Sequence, residues 1–227
     1  MLLIGHRGFR IGVHENTFDA FYRAFNLNLD YIEFDVQLSQ DKKLFILHDA
    51  KVDRTMDASG EIDVLTSKEI DMISTEDNQW HIPRLSRLFD YKKNHPTLST
   101  KFMIELKGHD TGKPTAELIQ KYQIESEVIF SGRYVAELEK AHKVCPEVPI
   151  CLNITKCKTF RMKDLMNCQS SADFPLPFKM FSLKTNEINS PIFPKKCHAL
   201  DTMALCWNFL DYTNPMEIIT QMIEFEL

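Results

Sequence analysis

The chain has 227 residues, 44% hydrophobic and 26% charged, a balance that excludes a disordered tail or a small disulfide-stapled scaffold and fits a globular protein of the larger kind. Lys plus Arg number 27 against 32 Asp plus Glu, for a net charge of −5; with no basic stripe to neutralise a phosphate backbone, no nucleic-acid partner is expected. No stretch approaches about 18 uninterrupted apolar residues, so no transmembrane segment is expected either.

In chain order, Leu2–Ile4 reads as a short strand that runs straight into His6 and Arg7. It lacks the basic start of a leader peptide, which points to a cytoplasmic protein. Thr17–Leu27 carries a 3.6-period apolar face, and Glu15-Asn16-Thr17 before it reads as a helix N-cap, with Asn16 or Thr17 taking the first amides. Tyr31–Leu38 alternates strictly, with Ile32, Phe34, Val36 and Leu38 on one face and Glu33, Asp35 and Gln37 on the other. Taken alone, that pattern describes a half-exposed antiparallel strand with a solvated polar face. Leu44–Leu47 is a third strand, ending at His48. Residues 49–83 then interrupt the alternation with a polar, turn-rich piece that holds Ser59-Gly60 and a short helix, Thr66–Ile73, opened by a capping-box-like Thr66 and Glu69. This piece is expected to be a small insertion after the third strand.

After a helical Arg84–Lys93, the segment Lys101–Lys107 repeats the carboxylate pattern: Phe102, Ile104 and Leu106 oppose Met103, Glu105 and Lys107. Gly108–Thr115 has only three residues between its glycines and Pro where a phosphate loop needs Ser or Thr, so it is not one. Helices over Pro114–Tyr122, Tyr134–Val144, Met162–Met166 and Pro215–Phe225 then alternate with strands over Val128–Phe130, Pro149–Ile154, Phe178–Leu183 and Met203–Phe209. Such alternation predicts a parallel sheet, and eight candidate strands favour an α/β fold of the TIM (β/α)8 barrel type, one domain over residues 1–227, over a doubly wound sheet. The six cysteines all lie beyond residue 144 without a CxxC pair, which reads as small buried hydrophobes in a reducing compartment.

Charges at the C-terminal ends of buried strands are out of place unless they line a barrel mouth. Glu33, Asp35 and Glu105, with no cysteine nearby, suit a hard divalent cation, Mg2+ or Ca2+. A single histidine at a strand end is usually a surface residue. His6 and His48 as a pair, ending the strands either side of Glu33 and Asp35, suit proton transfer near neutral pH. Arg7 and Lys107 at the same mouth neutralise a phosphate, or else form rim salt bridges.

Together these residues resemble the glycerophosphodiester phosphodiesterase family: His6-Arg7-Gly8, Glu15-Asn16-Thr17, Glu33-Phe34-Asp35-Val36, His48-Asp49, Arg54-Thr55 and Glu105-Leu106-Lys107 occur in its order and spacing. The match is dense over residues 2–107 and weaker through Ser131, the helix to Pro146, and Trp207. The resemblance implies a TIM barrel with a small insertion after its third strand, and a metal on Glu33, Asp35 and Glu105 with Glu15 at or next to it. It also implies His6 and His48 as the acid/base pair, Arg7 and Lys107 on the phosphate, Trp207 near the substrate, and hydrolysis of small-molecule glycerophosphodiesters to glycerol 3-phosphate and an alcohol. The chain departs from the family's pattern at His14, Met56, Gly132 and Asn208, none of them a catalytic group. It also has no counterpart of the family's glycine-rich closing strand before Leu227, so either the sequence stops short of that strand or one of the eight candidates is not a barrel strand. A lysophospholipase D type is the enzymatic alternative and would need an apolar rim, for which Trp80 and Trp207 are candidates. An inactive barrel serving as a binding module is the other, and the complete set of site residues argues against it.

Overall fold

Strand and helix alternate along the chain where their apolar periods change from two to 3.6. The computed structural model describes residues 2–155, 157–184 and 192–207, which fall into two units, residues 2–130 with 136–148 and residues 131–135 with 149 onward. Among the described residues no helix is long and apolar enough to cross a membrane.

In the first unit, β1 (Ile4–His6) and β4 (Lys101–Leu106) lie parallel to either side of β2 (Tyr31–Leu38). Helix α1 (Phe18–Asn26) starts at Thr17, whose side chain accepts from the Ala20 amide at 3.3 Å, so Thr17 and not Asn16 is the cap. Its Phe21 and Phe25 meet the outer faces of the strands, Phe21 at 5.7 Å from Phe34 and Phe25 at 6.3 Å from Phe102 (ring centroids). Phe34 and Phe102 themselves meet edge to face at 5.5 Å. Each buried phenyl of this layer contributes roughly 1.5–3 kcal/mol. Helices α3 (Leu85–Asn94), α4 (Gly112–Tyr122) and α5 (Val135–Val144) lie close to their expected spans.

The third expected strand forms as β3 (Leu44–Ile46), but it runs antiparallel to β2, with Val36 opposite Ile46. It is therefore a hairpin arm and not one of the parallel strands. The cause is the short turn after Leu38, where Ser39 accepts the Lys43 amide at 2.9 Å and reverses the chain; a parallel return would need a crossover of a dozen residues or more. The insertion hangs from this arm. Phe45 and Leu47 join Val52, Ile62, Ile70 and Ile82 in a small core of its own, and the expected capping box forms at helix α2 (Ser67–Met72), between Thr66 and Glu69.

In the second unit, β6 (Ile150–Asn153), β7 (Phe178–Lys184) and β8 (Met203–Trp207) run parallel in that order, with α6 (Met162–Asn167) and α7 (Ile192–Ala199) between them. Helix α7 has no periodic signature in the sequence, because Pro194 and Lys195-Lys196 interrupt its apolar period. The strand β5 (Val128–Gly132) brings the parallel strands among the described residues to seven. The helix read at Pro215–Phe225 and the strand end at Asn208-Phe209 lie outside the described residues. All six cysteines are free thiols, Cys206 half-buried and the rest buried.

Candidate active site

The strand registers assemble the site. Asp35 on β2 stands opposite Glu105 on β4, and Glu33 stands opposite His6 on β1. Because side chains alternate along a strand, the three carboxylates share one face. That face is not solvated: Glu33, Asp35 and Glu105 are 7%, 1% and 7% exposed, and one oxygen of each lies within 4.8 Å of the others. The half-exposed antiparallel reading of β2 thus fails for a physical reason: β2 pairs in parallel with β1 and β4, and the crossover connections of a parallel sheet leave neither face open to water.

Burying like charges together has a cost. Burial pushes the Glu33 carboxyl well above the usual range, and Asp35 and Glu105 beside it push the same way. Burial also raises Asp35, but Lys107, His48, Arg7 and a hydrogen bond from Asn16 outweigh it and hold Asp35 down at about 2. Lys107 Nζ stands 3.1 Å from Asp35 Oδ1 and 3.2 Å from Glu105 Oε1. Arg7 Nε stands 3.5 Å from Asp35 Oδ2, while its backbone N–H donates to Glu33 Oε2 at 3.1 Å. A buried set of three hard oxygen donors with this excess of negative charge fits Mg2+ or Ca2+, and no cysteine or histidine belongs to the group.

Around the triad the loops carry charge in alternation. Glu15 takes no place in the carboxylate group but stands next to it, accepting from Arg7 Nη1 at 2.9 and 3.0 Å, from Arg10 at 3.3 Å and from Arg54 at 2.5 Å. Arg54 also donates Nε to Asp49, whose other oxygen stands 2.6 Å from His48 Nδ1. His6 Nε2 is 3.9 Å from Glu33 Oε2; burial, with Arg7 beside it, pushes this imidazole down to about 4.

Three side chains escaped the sequence reading as site residues. Asn16 donates Nδ2 to Asp35 at 3.1 Å from a left-handed backbone, φ +57; the positive φ that aims it inward is invisible next to a Thr with equal capping chemistry. Asp49 and Arg54 belong to the resemblance, but only the fold shows what they touch. Gly8 serves the packing of the first loop. It sits at φ +82, and a Cβ there would lie 2.7–2.9 Å from Ala20 atoms, so it lets the first loop pack on α1. A cavity of about 460 Å3 opens beside Arg54, lined among others by His14, Thr55, Asp57, Thr75 and Asp77. Trp80 turns its Nε1 to Asp19 at 2.7 Å and packs on His14, and Trp207 ends β8 in the second unit.

Comparison with known proteins places this geometry. The profile of the Glycerophosphoryl diester phosphodiesterase family matches residues 6–167, well over half of the chain. A glycerophosphodiester phosphodiesterase from Caldanaerobacter subterraneus is 33% identical over 162 residues, covering 66% of this chain and 65% of the relative. A human lysophospholipase D is 21% identical over 207 residues, covering 87% of this chain and 65% of the relative. The chain thus spans just under two thirds of the length of these curated relatives. An Oleispira antarctica phosphodiesterase, solved in complex with its product sn-glycerol-3-phosphate, superposes with a TM-score of 0.79 over 100% of this chain and 90% of its own, at 19% identity. The fold is accordingly that of the TIM-barrel phosphodiesterases, with parallel strands and helices between them, as expected.

Proposed function

The chain belongs to the glycerophosphoryl diester phosphodiesterase family, and from that premise we propose that it hydrolyses small-molecule glycerophosphodiesters to glycerol 3-phosphate and an alcohol. The observation that carries the reading is the constellation inside the matched segment: a buried carboxylate triad, Arg7 and Lys107 against it, and a histidine at the end of the neighbouring strand.

Glu33, Asp35 and Glu105 would hold Mg2+ or Ca2+, which when bound offsets the negative charge gathering on the phosphoryl oxygens. Arg7 and Lys107 present fixed positive charge to the same phosphate. With its basicity lowered to about 4, His6 is neutral at physiological pH and takes the proton of the attacking oxygen. We assign the attack to the neighbouring glycerol hydroxyl. Its oxygen bonds to phosphorus while the bond to the alcohol oxygen breaks, and His48 gives its proton to that departing oxygen. Water then opens the cyclic phosphate; His48 takes a proton from the water and His6 returns its own to the glycerol oxygen. The departing alcohol has room in the cavity beside Arg54. The free, mostly buried thiols support a reducing, cytoplasmic setting.

The test is release of glycerol 3-phosphate from glycerophosphocholine by the parent and by His48→Ala, with and without a chelator. Both treatments are expected to abolish release; activity insensitive to both overturns the site. Solvent-oxygen incorporation with no trappable cyclic phosphate reassigns the nucleophile to water. Faster turnover of a lysophospholipid than of glycerophosphocholine moves the protein to the lysophospholipase D type, and silence on both substrates leaves a binding module.

A further inference from the structure

We infer that Arg54, carried by the insertion, is a positioning residue for His48, acting through Asp49. This rests on the reading of His48 as a proton-transfer group. The geometry has three links. The Asp49 carboxylate takes His48 Nδ1 with one oxygen, at 2.6 Å, and Arg54 Nε with the other. Arg54 is fixed in turn by its Nη2, which donates to Glu15 at 2.5 Å. Glu15 is itself clamped by both oxygens to Arg7 and by one to Arg10.

Each link does physical work. A carboxylate on one ring nitrogen fixes the tautomer and the ring plane, leaving the other nitrogen, Nε2, for the substrate. Asp49 directly follows His48 on a loop and its side chain is about a third exposed, so by itself it samples several rotamers. The planar guanidinium removes that freedom: Nε and Nη2 lie along one edge and meet two carboxylates from separate loops at once, which a lysine ammonium on a flexible stem cannot reproduce. Arg54 is itself half exposed, so its ion pairs add little to global stability; its effect is on the aim of the histidine.

The experiment compares the parent with Arg54→Ala, Arg54→Lys, Asp49→Asn and His48→Ala, using glycerophosphocholine with Mg2+. For Arg54→Ala, kcat is expected to fall about 10- to 100-fold with KM changed by less than about threefold. Millimolar guanidinium restores much of the rate in Arg54→Ala but none in Asp49→Asn, which lacks the charged partner. Arg54→Lys keeps most of the loss, with a melting temperature near that of the parent. In ring 15N spectra, His48 Nδ1 keeps its proton on Asp49 in the parent, so that Nε2 alone gives and takes the transferred proton, whereas in Arg54→Ala the two ring nitrogens share these roles. A kcat for Arg54→Lys within about twofold of the parent, an Arg54→Ala defect that guanidinium leaves untouched, or an unchanged ring 15N spectrum overturns the inference. Undiminished turnover by His48→Ala is a separate failure, because it removes the proton-transfer role that the arginine serves.

Discussion

The carboxylate triad and the ionic chain around it use the same residue types in opposite ways. Glu33, Asp35 and Glu105 stand on two strands in hydrogen-bonded register, buried, with like charges held together. Glu15, Arg54, Asp49 and His48 stand on loops, part-exposed, with opposite charges in alternation. Strand register fixes the first arrangement whether or not it is electrostatically favourable. The second exists only because its charges attract. Strain is thus concentrated where a cation would relieve it, and mutual attraction around the histidine that the proposed mechanism uses.

Glu33→Gln breaks the comparison most sharply. Activity is expected to fall by about a hundredfold or more, while the chelated protein melts no lower than the parent, because the neutral amide relieves repulsion within the buried triad. Paired assays and melts check this; a melting temperature well below the parent's would show that the triad is not strained. Gly8→Ala tests the loop side by packing alone: a Cβ pressed against Ala20 at φ +82 is expected to cost about 3 kcal/mol, measured by denaturant unfolding.

Titration separates the signs. Glu33 binds its proton more tightly folded than unfolded, so the chelated protein loses stability as pH rises above the ordinary value of 4.5. Asp35, held at about 2 against 3.8, does the reverse, and its contribution is lost as pH falls through that interval. Added Mg2+ or Ca2+ is expected to flatten the first slope and release protons, which calorimetry in buffers of different ionisation heat detects. A flat profile without the cation would sink the assignment. The smallest expected effect is that of Thr66→Ala, which removes the capping box of α2 and costs about 1 kcal/mol with no change in kcat.

The same contrast explains what the sequence could tell. β2 and β4 were legible because an alternating pattern interrupted by carboxylates survives in any register that pairs Asp35 with Glu105. The direction of β3 was not legible, since a three-residue apolar run carries no sign of parallel or antiparallel pairing; only the Ser39–Lys43 turn decides it. The roles of Asn16 and Arg54 were hidden because each depends on where a loop side chain lands relative to residues remote in sequence, and periodicity says nothing about that.

β3 turns back along β2 instead of joining the parallel run, and this makes the insertion an interchangeable attachment. A longer, shorter or differently charged segment can be grafted between Leu47 and Pro83 without disturbing the pairing of β2 with β4, provided Phe45 and Leu47 still find an apolar partner. What such a graft alters is the border of the cavity beside Arg54. Under the proposed hydrolysis, one unchanged scaffold is turned toward new alcohols by recombining a single loop.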